Sequence, residues 1–250
     1  KVKKKETVVI LGGTSVIAHN VARIWLKKYS VDIVLIGRNL KKLNSISSNL
    51  KLSNSLSDIS CKQLTFEEIE SGQKLIDEIF QTHRITKVLI AFGTLPDQLI
   101  CQQDLHFTKD SLVINGVLPI IYSEMFLQKM NLSSSSIIGI IGSVAGDRGR
   151  KSNYFYGSSK SMIETYVQGV GHRLAGSQVK ICIIKPGPTK TPMTEALNLN
   201  LKMADPATVA LDIVKGIDKS KSVIYTPSKW KIIMMIIKNL PEFIFHKLNI

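Results

Sequence analysis

The chain has 250 residues, 44% hydrophobic and 21% charged, with a formal charge of +14. That is length enough for one large α/β domain with a sizeable core, and the balance excludes disordered and fibrous classes. The charge asks for anionic partners. The lysines are scattered and no nucleic-acid motif accompanies them, which argues against nucleic acid and leaves phosphorylated ligands, anionic lipid or simply a Lys-rich solvated surface.

The start, Lys1-Val2-Lys3-Lys4-Lys5, runs straight into the apolar strand Thr7–Leu11, without the pattern of a signal peptide, so a cytoplasmic location is expected. Ser15–Tyr29 has helical periodicity through Ile17, Val21, Ile24 and Trp25. Asp32–Ile36 reads as a buried strand, Leu40–Leu50 as a helix and the Ser/Asn-rich stretch to Ile59 as a loop. Cys61–Leu64 is a candidate third strand, Glu67–Thr82 a helix and Val88–Phe92 a fourth strand. A long helix is expected from Gln102 toward Met130, then a strand Ile137–Ile141, a helix Tyr156–Ala175 and a strand Val179–Ile184. Pro186, Pro188 and Pro192 break the next segment into a loop. Pro206 suits the first turn of a helix ending near Lys219, and Val223–Tyr225 is a last short strand.

Strict alternation of strand and helix implies a Rossmann-type doubly wound parallel sheet in three α/β/α layers, spanning residues 1–228. Residues 229–250 form an apolar, basic helical tail, expected to pack on the domain, on an oligomer partner or on a membrane surface. Its apolar run Ile232–Ile237 is far below the ~20 residues that span a bilayer. Cys61, Cys101 and Cys182 lie far apart and the histidines show no ligand spacing, so a reducing compartment and no metal are expected.

Gly12-Gly13-Thr14-Ser15-Val16-Ile17 joins the first strand to the first helix. Small residues there admit a pyrophosphate to the helix N-terminus, although Val16 and Ala18 replace two glycines of the usual fingerprint, and a plain tight turn remains an equal reading. The second strand ends in Gly37-Arg38-Asn39. A carboxylate at this point would hold a ribose hydroxyl, whereas the Arg38 guanidinium suits a 2′-phosphate, with Asn39 beside it. NADP(H) is therefore favoured, with NAD(H) the alternative.

Tyr156-Gly157-Ser158-Ser159-Lys160 puts a phenol and an ammonium on one helical face. A neighbouring ammonium favours the phenolate, so Lys160 is expected to lower the Tyr156 pKa and ready it for proton transfer to a carbonyl oxygen. Tyr225 and Lys229 share the same spacing, but Pro227 lies between them and works against a common helical face. Ser143 ends a strand, at the sheet edge where ligands bind in this architecture, and its hydroxyl can hold the same carbonyl oxygen. The stretch Pro186-Gly187-Pro188-Thr189-Lys190-Thr191 also follows a strand and can close over a nicotinamide. Asn115 sits in the long central helix, where by itself it reads as a surface asparagine.

Together Gly12, Arg38, Asn115, Ser143, Tyr156, Lys160, Pro186 and Gly187, in this order and at these spacings, resemble the short-chain dehydrogenase/reductase family over nearly the whole chain. The resemblance implies Tyr156 as general acid in reduction, Lys160 holding the nicotinamide ribose, Ser143 positioning the carbonyl and Asn115 holding a relay water. It implies Thr14, Ser15, Ile17, Thr189 and Thr191 around the cofactor, and a homo-oligomer. Ala91-Phe92-Gly93 stands where the family's Asn-Asn-Ala-Gly stretch lies, and Thr65 where many members carry an aspartate near the adenine. Gly12-Gly13-Thr14-Ser15, Ala91-Phe92-Gly93, residues 146–153 and the ending 234–248 are similar to decaprenylphosphoryl-2-keto-ribose reductases. That likeness implies a lipid-linked keto sugar as substrate and a partner oxidase. A soluble or acyl ketone, or a cofactor-binding regulatory protein without turnover, are the other expectations.

Overall fold

The computed structural model describes residues 5–195 and 203–248; the first four residues of the basic start and the last two of the tail lie outside these. Seven parallel strands form one sheet: β1 (Glu6–Leu11), β2 (Val31–Gly37), β3 (Ile59–Gln63), β4 (Arg84–Ile90), β5 (Ser136–Ile141), β6 (Val179–Pro186) and β7 (Val223–Thr226), in the order β3-β2-β1-β4-β5-β6-β7. The helices are α1 (Val16–Lys28), α2 (Leu40–Lys51), α3 (Ile69–Thr82), α4 (Gln98–Gln103), α5 (Leu105–Leu112), α6 (Leu118–Lys129), α7 (Tyr154–Arg173), α8 (Pro206–Asp218), α9 (Lys229–Asn239) and α10 (Glu242–Phe245).

Period-two alternation along each strand splits the core into two layers. Val9, Leu11, Val34, Ile36, Val88, Ile90, Ile181 and Ile183 face α3, α6 and α7. Val8, Ile10, Ile33, Leu35, Leu89, Cys182 and Ile184 face α1, α2 and α8. Both faces of the strands are thus buried, which is why they read as continuous apolar runs. The chain reverses its winding between β1 and β4, so the C-terminal ends of these two strands part and leave a crevice.

Two elements differ from the sequence expectation. β4 starts at Arg84, four residues before the apolar run, because Arg84 and Lys87 lie at or near the solvent end of the sheet. The long central helix is interrupted: Asp97 caps α4, Asp104 caps α5 through the amides of His106 (2.9 Å) and Phe107 (3.0 Å), and α5 joins α6 through one π turn, Val113–Val117. Residues Leu105–Lys129 are apolar and long enough to cross a membrane by composition alone, but 61% of that window is buried inside the protein.

The tail folds back on the domain. Met234 is buried, and Trp230 packs on Gly187 so closely that a Cβ there would fall 1.9 Å from the indole Nε1. Arg148 donates to Ile237 O (2.6 Å) and Leu240 O (2.7 Å) at the end of α9, and its guanidinium stacks 3.8 Å from the Phe245 ring. The opposite side of the tail leaves Ile232, Met235, Ile236 and Phe243 exposed.

Candidate active site

The turn after β1 stands at the β1/β4 crevice. Gly12 has φ +82°, and a Cβ on it would lie 2.5 Å from Phe92 N, so only glycine lets the β1 and β4 ends meet here. Its amide and that of Gly13 donate to Ile36 O at 2.9 and 3.0 Å, which pins the turn to β2. Ser15 caps α1 by accepting from Ala18 N (3.4 Å), and the amides of Val16 and Ile17 at the helix start have no intrahelical partner. Bare backbone, a helix N-terminus and no carboxylate in its first turn fit a pyrophosphate. At the end of β2, Arg38 is exposed and its guanidinium has no hydrogen bond among the described residues. Asn39 spends its Oδ1 capping α2, accepting from Lys42 N at 2.9 Å.

Phe92, expected beside the cofactor, turns its side chain away from the crevice. The ring stacks on Phe66 at 4.1 Å and meets Tyr122 edge-on, in the core. Only the Phe92 backbone faces Gly12. Ala91 is half-buried beside it, its amide bonded to Leu11 O (2.8 Å).

Ser143, Tyr156, Lys160 and Asn115 converge from three segments. Ser143 follows β5, and its Oγ accepts from Ala145 N (3.1 Å), which fixes a short 3-10 turn. Tyr156 and Lys160 share one face of α7, with the ammonium 5.5 Å from the phenol ring centroid and donating to Ile141 O (3.2 Å). Asn115 is fully buried at the π turn, not at the surface as it reads in isolation. Its Oδ1 accepts from Thr94 N (2.9 Å), and its Nδ2 donates to Thr94 Oγ1 (3.2 Å) and Ser111 O (2.9 Å). Gly93 separates Asn115 from Lys160: a Cβ there would fall 2.7 Å from Asn115 Oδ1 and 3.7 Å from Lys160 Nζ. A π turn is a recurrent way to bring a helical side chain to a site.

The electrostatics correct one expectation. Burial pushes the Tyr156 phenol up to about 12, opposed by a hydrogen bond with Ser143, and no lowering by Lys160 appears. Burial also brings Lys160 down to about 8. Desolvation disfavours the charged form of both groups and outweighs their mutual attraction. At neutral pH the pair is a phenol beside an ammonium, which is a proton donor ready for use.

After β6, Thr189 Oγ1 donates to Gly187 O (2.8 Å), Thr194 Oγ1 donates to Thr189 O (2.6 Å), and Thr191 and Thr194 cap each other. Pro186 and Gly187 are buried at the strand end. Tyr225 lies in β7 and Lys229 opens α9, so the second Tyr/Lys spacing forms no helical pair.

Sequence reasoning missed a buried charge cluster beneath this edge. Lys185 Nζ lies 2.5 Å from Asp147 Oδ1 and 2.6 Å from Glu164 Oε1, and Tyr225 donates to Asp147 Oδ2 at 2.8 Å. Glu164 is one turn beyond Lys160, so the cluster ties the catalytic face of α7 to the Ser143 turn and the β6 end.

The chain matches the short chain dehydrogenase family over residues 6–202. An oxidoreductase of Mycobacterium tuberculosis is 24% identical over 96% of this chain and 96% of its own length. One from Staphylococcus epidermidis is 30% identical over 78% of this chain and 82% of its own. In structure, a short-chain dehydrogenase from Sphingobium yanoikuyae in complex with NADPH superposes with a TM-score of 0.80, covering 95% of this chain and 97% of that one at 17% identity. The chain belongs to the short-chain dehydrogenase family of oxidoreductases.

Proposed function

We propose that the protein is an NADP(H)-dependent carbonyl reductase. The convergence of Ser143, Tyr156, Lys160 and Asn115 at the C-terminal edge of the sheet carries this reading. Gly12, Thr14, Ser15 and Ile17 would hold the pyrophosphate, with the backbone of Ala91, Phe92 and Gly93 as the floor of the crevice. Arg38, without a side-chain partner among the described residues and followed by Asn39, would take the 2′-phosphate, and Pro186, Gly187, Thr189 and Thr191 would border the nicotinamide. The Sphingobium neighbour, solved with NADPH, supports the cofactor class.

The bound nicotinamide supplies a hydride for the carbonyl carbon. Ser143 Oγ donates a hydrogen bond to the carbonyl oxygen and sets its orientation. The Tyr156 phenol gives its proton to that oxygen. Lys160, which donates to Ile141 O, would hold the nicotinamide ribose and place its ammonium beside the phenolate that forms on proton transfer. Asn115 holds the Thr94 backbone, and since its Oδ1 and Lys160 Nζ both lie close to Gly93, we assign it a relay water between them.

For the substrate we propose a 2-keto sugar carried on a polyprenyl phosphate, reduced at the cytoplasmic membrane surface after a partner oxidase has formed the ketone. Two features support it: the charge of +14, and the exposed Ile232, Met235, Ile236 and Phe243 beside Lys229, Lys231 and Lys238. The test is NADPH oxidation by the purified protein with a 2-keto pentose polyprenyl phosphate generated in situ by such an oxidase. Consumption stoichiometric with loss of the ketone supports the reading. Turnover of only soluble or acyl ketones would make it a general ketoreductase, and NADPH binding without any turnover a regulatory protein.

A further inference from the structure

The loop after the Ser143 turn and the end of the tail border a half-open cavity of about 390 Å³. Its lining has two chemistries. Arg150, Lys151 and His246 bring nitrogen-bearing side chains to its wall, and Tyr154, Phe245 and Leu248 bring apolar ones. Among the described residues, no Asp or Glu side chain lines it.

Arg150 is the telling residue. Its Nε is buried and has no hydrogen-bond partner among the described residues. A buried guanidinium N–H left unpaired is unfavourable, and such donors normally have a partner, whether protein, water or ligand. Burial draws the Arg150 pKa down, while the charge of Asp147 draws it up. The walls are also held in place: Arg148, two residues before Arg150, binds the end of α9 and stacks on Phe245. Tyr154 is at the start of α7, two residues before Tyr156, and its hydroxyl accepts from Gln102 Nε2 at 3.0 Å. The cavity therefore borders the helix that carries the reacting pair.

We infer that this cavity is the subsite for a phosphate ester with an apolar chain: Arg150 and Lys151 receive the phosphate, and Tyr154, Phe245 and Leu248 the first carbons of the chain. A planar guanidinium matches two phosphate oxygens at once, and a phosphate is the ligand that uses both donors. A neutral lipid would leave them unpaired, and inorganic phosphate would leave the apolar wall uncovered. The inference rests on the lipid-linked reading above and adds where the phosphate goes.

The test is calorimetric titration of the full chain, saturated with NADPH, with monomeric dodecyl phosphate and separately with inorganic phosphate. Two variants accompany it. Arg150→Gln removes the guanidinium. Gly149→Phe adds a ring at a lining position where a Cβ meets nothing within 4 Å, so the surroundings admit it and the ring narrows the half-open mouth. The expected result is dodecyl phosphate binding about tenfold or more tighter than inorganic phosphate, weakened about tenfold or more by each variant, with NADPH affinity unchanged. Equal affinity in wild type and both variants would overturn the subsite, as would dodecyl phosphate binding no tighter than inorganic phosphate. Binding as expected, without reduction of the lipid-linked keto sugar, keeps the subsite and rejects that substrate. Reduction of the lipid-linked sugar equally well by wild type and Gly149→Phe keeps the substrate and rejects the subsite.

Discussion

Lys185 and Asp147 form an ion pair at 2.5 Å with 1% and 0% of their side chains exposed. They stand at the ends of adjoining segments, β6 and the turn after Ser143, and Glu164 of α7 joins them at 2.6 Å. A buried pair adds little against an apolar equivalent, but removing one partner leaves an uncompensated charge. Lys185→Met is expected to destabilise the fold by about 3–5 kcal/mol, read by urea unfolding. The triple variant Lys185→Met, Asp147→Leu, Glu164→Met should recover most of that loss. A single variant as stable as the wild type would deny the cluster its part in holding this edge.

Arg38→Asp tests the reading of the cofactor. An exposed guanidinium with no partner among the described residues can meet a 2′-phosphate, and a carboxylate in its place repels it. The ratio of kcat/KM for NADPH over NADH is expected to fall by about tenfold or more. An unchanged ratio removes Arg38 from the site.

The exposed face of the tail makes a prediction about lipid. Met235 and Ile236 are 60% and 56% exposed, so charge there disturbs no packing. Met235→Glu with Ile236→Glu is expected to release the protein from anionic vesicles at unchanged melting temperature, measured by co-sedimentation. Equal sedimentation of the variant, or no vesicle binding by the wild type, contradicts a membrane contact through α9.

A pH profile follows from Lys160, whose pKa burial lowers to about 8. The ammonium is present below that value and lost above it, while the Tyr156 phenol stays protonated to about 12. kcat/KM for NADPH, which reports the free enzyme, should therefore fall above pH about 8. A limb only near the ordinary lysine value would mean that burial does not perturb Lys160.

The sheet was legible because its strands are buried on both faces: Val8–Leu11, Ile33–Ile36 and Ile181–Ile184 read as apolar runs. Tyr156 and Lys160 were legible because one helical turn brings them together, whatever the rest of the chain does. Asn115 was legible only through the family resemblance, since an asparagine in a helix carries no mark of burial; the π turn that seats it against Thr94 has no sequence period. The partners of Asp147 and Arg148 lie 38 to 92 residues away, so no spacing rule reaches them. The same holds for Trp230 on Gly187, a contact created by the tail folding back. The upward shift of Tyr156 also needed coordinates, because the balance of desolvation and attraction depends on burial that residue types alone do not report.

The central claim is that Tyr156 donates the proton, and Tyr156→Phe tests it most directly, because the ring and its packing remain while the phenolic proton is lost. NADPH consumption and NADPH binding are measured side by side for the wild type and the variant. The expected result is a fall in kcat of about 10²–10⁴ with cofactor affinity retained. Wild-type turnover by Tyr156→Phe would contradict the assignment of the acid and send the search to another donor at this edge.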